Sequence, residues 1–259
     1  MMMEVDDINE PPELEIHDQV ATIKLLRPKY ANRLSADDLH LIQAHLNTVN
    51  QADGVIVLRI LSTGKYFCSG YDLKSFGSGK APSSLLFGET VDLIEQARPI
   101  TIAAVNGGVF GGGTDLALGC DFRLGVQSAR MFMPAAKLGL HFYPGGLFRY
   151  ASRLGVDQAK RLFLTACQID ADEMLRIGFL TQLLPDADLE SGVQDLTLSL
   201  CAMAPLAILG IKKHLNLIAR GELRAAEITE AVLKSEASLD FAEAASAWRE
   251  KRPAKFVGR

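Results

Sequence analysis

Asn106-Gly107-Gly108-Val109-Phe110-Gly111-Gly112-Gly113-Thr114-Asp115-Leu116 sets three consecutive glycines directly ahead of a Thr-Asp-Leu-Ala-Leu run, just after the apolar stretch Ile100–Val105. Without a Cβ, such a backbone adopts unusual torsions and comes close to a ligand. A helix that begins there points its unsatisfied N–H groups, and the positive end of its dipole, into the same space. The stretch lacks the Gly-Lys-Ser/Thr ending of a P-loop, and its glycine spacing does not make a dinucleotide fingerprint. A second such turn, Gly64-Lys65-Tyr66-Phe67-Cys68-Ser69-Gly70-Tyr71-Asp72-Leu73, follows the apolar run Val55–Ile60. If the two turns converge, one N–H from each grips a single carbonyl oxygen, and the grip strengthens as that oxygen gains negative charge. The alternative is that the glycines only permit tight helix–sheet packing.

Working outward, the two apolar runs are separated by the helical stretch Ser84–Gln96. Nearly continuous hydrophobic strands alternating with helix predict a sheet covered on both faces, with ligands bound beyond the strand C-termini. Residues 1–12 read as a loose acidic lead-in, and Leu14–His17 with Val20–Leu26 as a hairpin. Ser35 caps a helix carrying Leu39, Ile42, Leu46 and Val49 on one face, with Asp38 at the capping-box position. After residue 150 the periodicity predicts helices over Val156–Thr165, Ala171–Ile177, Asp188–Cys201, Pro205–Ile218 and Leu223–Ala245, with Pro205 in a first turn.

The 259 residues include 48% hydrophobic side chains, enough to bury roughly 70% of the unfolded surface without metal or disulfide staples. A net charge of -4 gives no reason to expect a nucleic-acid partner. No apolar run approaches the ~20 residues of a membrane span, and the N-terminus does not read as a secretory signal. Cys68, Cys120, Cys167 and Cys201 form no CxxC pair, so they are read as reduced thiols in a cytoplasmic protein. His17, His40, His45 and His214 combine with no carboxylates at a metal-binding spacing, and no metal site is expected.

The two glycine turns resemble those of the enoyl-CoA hydratase/isomerase (crotonase) superfamily. Arg27-Pro28, Ala31–Ser35, Phe132-Met133-Pro134, Lys137–Leu140, Gly145-Gly146 and the tail Arg249–Phe256 extend the resemblance over nearly the whole chain. It implies an α/β fold, a crotonase-like spiral of β-β-α units over residues 13–200. It also implies a C-terminal helical oligomerisation region, 201–259, and assembly as a homotrimer or a dimer of trimers. The implied substrate is an acyl-CoA thioester of the kind met in fatty acid metabolism, with coenzyme A entering as part of the substrate and no resident cofactor. The family's two oxyanion donors fall on the backbone amides of Tyr71 and Gly112. Ser69 falls in a ligand-shaping loop and lacks the Gly-x-Ser-x-Gly elbow of a nucleophile. Lys74, Lys251 and Lys255 are candidate contacts for the CoA phosphates, or simply exposed charges.

Family hydratases use two glutamates. The first matches Asp115, whose carboxylate is withdrawn by roughly 1.5 Å for want of a methylene. The second is replaced by Ala135, and a methyl group neither accepts a proton nor holds a water. Asp115 is read either as a proton shuttle or as a buried, hydrogen-bonded group at the start of its helix. Histidine is the side chain whose ordinary pKa lies nearest neutrality, so His141 is the best substitute base. Tyr143, with a reference pKa near 10, is a weaker candidate. Both can equally shape an acyl pocket or face a neighbouring subunit. The residues favour isomerase-like or nonstandard chemistry over standard hydration. A decarboxylase, a thioester hydrolase and a catalytically weak acyl-CoA-binding protein are the alternatives.

Overall fold

A computed structural model describes residues 9–72 and 84–259. The N-terminal hairpin is β1 (Glu10–His17) and β2 (Val20–Leu26), with Asp18 at positive φ in the turn. β1 begins earlier than the lead-in reading allowed: Pro11 and Pro12 lie inside it, where the register shifts between Glu10 and Glu13. An outer strand tolerates proline because that edge needs no donor.

Helix α1 (Ala36–Gln51) starts at Ser35 as expected. The Asp38 amide donates to the Ser35 hydroxyl, and Asp38 Oδ2 accepts from the Ser35 amide at 2.8 Å, so the shorter acid closes the capping box. Leu39, Ile42, Leu46 and Val49 are all buried.

Three successive turns then repeat one pattern. β3 (Val57–Ser62), β4 (Tyr66–Cys68) and α2 (Ser84–Glu95) make the first. β5 (Ile100–Val105), β6 (Gly108–Phe110) and α3 (Gly112–Leu118) make the second. β7 (Phe122–Val126), β8 (Arg130–Phe132) and α4 (Pro144–Leu154) make the third. Each turn leaves its first strand in a six-stranded sheet, ordered β1-β2-β3-β5-β7 and ending on β10 (Gln182–Leu184). The second strand goes to a four-stranded sheet, ordered β4-β6-β8 and ending on β9 (Ile169–Asp170). The repeating strands pair parallel in both sheets. This is the expected spiral of β-β-α units.

Alternate residues of a strand face opposite sides, and both faces of the larger sheet are covered. Leu58, Ile60, Ala103 and Val105 pack in the core with α1 and α2. Val57, Ile100, Ile102 and Ala104 pack instead with Val193 and Leu200 of α7 (Leu189–Cys201).

The helices α5 (Val156–Thr165), α6 (Ala171–Arg176) and α8 (Pro205–Ala219) lie where the periodicity placed them. The run Leu223–Ala245 is two helices rather than one, α9 (Ala225–Glu236) and α10 (Leu239–Glu250). The break has a local cause: the Ser238 hydroxyl accepts from the Phe241 amide and begins a new helix. Among the described residues, no single helix is long and apolar enough to cross a membrane.

Candidate active site

The first glycine turn is held from outside itself. Asn32, at φ 50°, donates its side-chain amide to the carbonyls of Thr63 at 2.8 Å and Tyr66 at 2.7 Å. The Ser69 amide donates to Ala31, the Leu34 amide to Gly70, and the Asp72 amide to Leu34. Residues 31–34 thus form a strap along the turn. Leu34 bridges Tyr71 in parallel through the Gly70 carbonyl and the Asp72 amide. Backbone alternation therefore turns the Tyr71 N–H to the opposite edge.

The second turn is tied to the first by Asn106, whose side chain donates to Gly64 O at 2.8 Å and accepts from Ser62 Oγ at 2.7 Å. The two turns converge backbone against backbone. A methyl group added to Gly70, at φ +89°, would lie 2.5 Å from Gly112 N; one added to Gly113 would lie 2.2 Å from Cys68 O. Only glycine permits that approach.

Where the turns meet, a cavity of about 110 Å³ opens. Ser69, Tyr71, Gly111 and Gly112 line it from the two turns, and Phe87, Met133, Ala135, Leu138, Leu140 and Phe142 are among its apolar lining. His141 and Tyr143 also line it. Of the candidate site residues, Ser69, Tyr71, Gly112, His141 and Tyr143 are therefore brought together. No carboxylate is among the described residues of this wall, and Ala135 presents a methyl group to it.

Asp115 lies behind the wall and is fully buried. Both of its oxygens are engaged: Arg149 donates to Oδ1 at 3.0 Å and to Oδ2 at 2.7 Å, and the Tyr143 hydroxyl donates to Oδ2 at 2.7 Å. Arg149 is itself buried and also pairs with Asp92 and with Glu95, the latter at 3.3 Å. Arg220 joins Arg149 on Glu95 Oε2, Arg153 takes Oε1 at 3.1 Å, and Arg220 also reaches Asp92. Three carboxylates thus meet three guanidinium groups, so the cluster carries no formal charge.

Burial, and then the Asp115 carboxylate, push the Tyr143 phenol well above its ordinary range, so it stays protonated. Burial opposes ionisation of Glu95, but Arg220, Arg149 and Arg153 together outweigh it and hold that carboxyl below its usual range. His141 is exposed, with Nδ1 2.8 Å from the Phe142 carbonyl. A carbonyl only accepts, so Nδ1 carries the hydrogen and the neutral ring presents Nε2 as an acceptor.

Lys251 and Lys255 are exposed and stand outside this wall. Lys255 donates its backbone amide to Glu243, and the backbone amides of Val257 and Gly258 donate to Asp240. Lys74 lies outside the described residues. Arg149 was not anticipated from sequence, because α4 was not. Pro144, at the first helical position, was the available signal for that helix.

The family profile for enoyl-CoA hydratase/isomerase matches residues 15–259. A probable enoyl-CoA hydratase of Rhodobacter capsulatus is 34% identical over 257 residues, covering 95% of this chain and 97% of the relative. A crotonyl-CoA hydratase of Syntrophomonas wolfei is 32% identical over 253 residues, covering 95% and 97%. The crystal structure of a putative enoyl-CoA hydratase/isomerase family protein from Hyphomonas neptunium superposes with a TM-score of 0.89 at 25% identity, over 96% of this chain and 98% of that one. The convergent glycine turns, the spiral that carries them and the match over nearly the full length agree: the chain belongs to the enoyl-CoA hydratase/isomerase family.

Proposed function

We propose that this protein is an enzyme acting on an acyl-CoA thioester. The Tyr71 and Gly112 amides share the thioester carbonyl oxygen and stabilise the enolate formed on it. The observation that carries this reading is the backbone contact between Gly70 and Gly112 at the wall of an apolar cavity. Amides aimed at developing charge in such a site are worth about 3 kcal/mol each in transition-state stabilisation. Ser69 shapes the thioester end of the site.

The chemistry is isomerase-like rather than standard water addition. Two-carboxylate hydration needs groups at the cavity that hold and activate water. Here one position is Ala135, and the other carboxylate, Asp115, is engaged by Arg149 and Tyr143. His141 is the proton-exchanging group. It removes a proton from the α carbon, the electron pair passes to the thioester oxygen, and the proton returns at the γ carbon as the double bond moves. Tyr143, a protonated phenol, is no base near neutrality, and Asp115 orients it.

A decarboxylase is the second reading. It is favoured by the absence of a carboxylate among the described wall residues, so an acidic acyl group meets no like charge there. The C–C bond to the leaving carboxylate breaks, CO2 departs, and the electron pair is held on the thioester oxygen until the α carbon is protonated.

Assembly as a trimer or dimer of trimers through the C-terminal helices is part of the proposal. It is supported by Trp248 of α10, which is 86% exposed, with Leu239 and Phe241 exposed on the same helix. Lys251 and Lys255, beside them, are then placed for CoA phosphates of an adjoining protomer. Incubation with 2-enoyl-, 3-enoyl- and malonyl-type CoA thioesters, with products resolved by mass and double-bond position, tests the whole reading. Double-bond migration without mass change is expected. Loss of CO2 selects the second reading, and binding without turnover across the panel overturns both.

A further inference from the structure

Helix α3 supplies one of the two proposed oxyanion amides, yet its opening residues, Gly111 to Gly113, have no side chains with which to hold it. Thr114 is the first residue that has one, and it is fully buried. Its hydroxyl donates to the Gly111 carbonyl at 2.6 Å. That commits the Thr114 hydrogen, so in the contact between Thr114 Oγ1 and the Tyr150 hydroxyl it is Tyr150 that donates. Tyr150 is fully buried on α4, next in sequence to Arg149, which holds Asp115. Adjacent residues of α4 therefore grip adjacent residues of α3.

The chain of donors ends on a particular atom. The Gly111 carbonyl and the Gly112 N–H belong to one peptide group, and a peptide group is planar. Fixing the carbonyl oxygen in place fixes the direction of the N–H on the far side of the same plane. Each hydrogen bond in such a chain also polarises the next, which makes the Gly112 N–H a better donor. The Thr114 amide donates to the same carbonyl at 3.0 Å, but that bond comes with the helical turn. The hydroxyl bond depends on the side chain.

We propose that Thr114 is a positioning residue: its hydroxyl, ordered by Tyr150, locks the Gly111–Gly112 peptide plane and aims the Gly112 amide at the thioester carbonyl. This rests on the oxyanion reading of the site. Neither side chain touches the substrate.

The test is the infrared stretch of a 13C-labelled carbonyl in a short 2-enoyl-CoA thioester, free and bound, read beside kcat and KM for the substrate that the panel identifies. In the wild-type protein the bound carbonyl shifts to lower frequency. Thr114→Val reduces that shift by at least half and lowers kcat about 10-fold or more, with KM nearly unchanged, since small misalignments of a catalytic group are costly. Thr114→Ser restores both, and Tyr150→Phe gives a partial loss even if Thr114→Val fails to fold. A wild-type shift retained in Thr114→Val, or in Tyr150→Phe when only that variant folds, overturns the positioning role and leaves the oxyanion reading standing. No shift in the wild-type protein overturns the oxyanion reading itself.

Discussion

The Tyr143 hydroxyl and the Arg149 guanidinium donate to the same oxygen of Asp115, each at 2.7 Å. The acid that family resemblance marks as a proton shuttle is therefore the fully buried end of a charge-balanced knot centred on Arg149, and a phenol lies between it and the cavity.

Removing one donor from that knot is expected to cost stability rather than change the pH dependence of turnover. Tyr143→Phe loses a buried hydrogen bond to a charged acceptor, about 1.5–3 kcal/mol, read from denaturant midpoints. Because the Tyr143 proton is held well beyond neutrality, the alkaline limb of the pH–rate profile stays in place in the variant. A limb that vanished would show that the phenol titrates during turnover.

Arg149→Ala leaves Asp115 buried without its cation, a loss of about 3–5 kcal/mol. The double substitution Asp115→Asn with Arg149→Met recovers part of it, because the unpaired charge is gone. Equal destabilisation of the single and double variants would show that packing, not charge, sets the cost.

Glu95 makes the knot sensitive to acid. Its folded carboxyl titrates below its unfolded range, so its contribution is complete above the unfolded pKa and is lost as pH falls through the folded one. Glu95→Gln is expected to be less stable at neutrality and to lose less on acidification, compared between about pH 3 and 7 by urea unfolding. Parallel stability curves for the two proteins would contradict this.

Ala135→Glu places a carboxylate on the cavity wall at the position to which the family resemblance assigns the second hydratase glutamate. If a missing water-activating group is what turns the site away from hydration, water addition to a 2-enoyl thioester rises by about 10²-fold, the lower range for general acid–base catalysis. No gain in a folded variant that still binds the thioester would mean that the wall residue does not decide the reaction.

Gly70→Ala forces a methyl group to within 2.5 Å of Gly112 N and strains a residue at φ +89°. A stability loss of about 1–3 kcal/mol is expected, with a larger proportional loss of turnover. Gly139→Ala, also at positive φ but with nothing within 4 Å, is the control for backbone strain alone.

The elements that bury an apolar stripe or an unbroken apolar run were legible from sequence: α1 with its Ser35 cap, β3 and β5 as strands of a sheet covered on both faces, and α7. The glycine turns were legible as well, and their convergence follows from β3 and β5 lying side by side and ending at the same edge. Helix α4 was hidden by Gly145 and Gly146, which read as loop although Pro144 starts a helix there. With it went Arg149, an ordinary-looking arginine whose partner is 34 residues away in the chain. No local pattern announces a long-range ion pair; only the packing of α3 on α4 creates it. The break at Ser238 was lost for the opposite reason, since an alanine-rich run on both sides masks a cap.

The atoms that meet where Gly70 approaches Gly112 belong to the main chain, and mutation exchanges side groups while leaving peptide units in place. The surroundings at Ala135, His141 and Tyr143 are the replaceable part. If the Tyr71 and Gly112 amides hold the substrate as proposed, a duplicated gene can rewrite what befalls a captured molecule without rebuilding the means of capture, and descendants can diverge in reaction while inheriting one architecture.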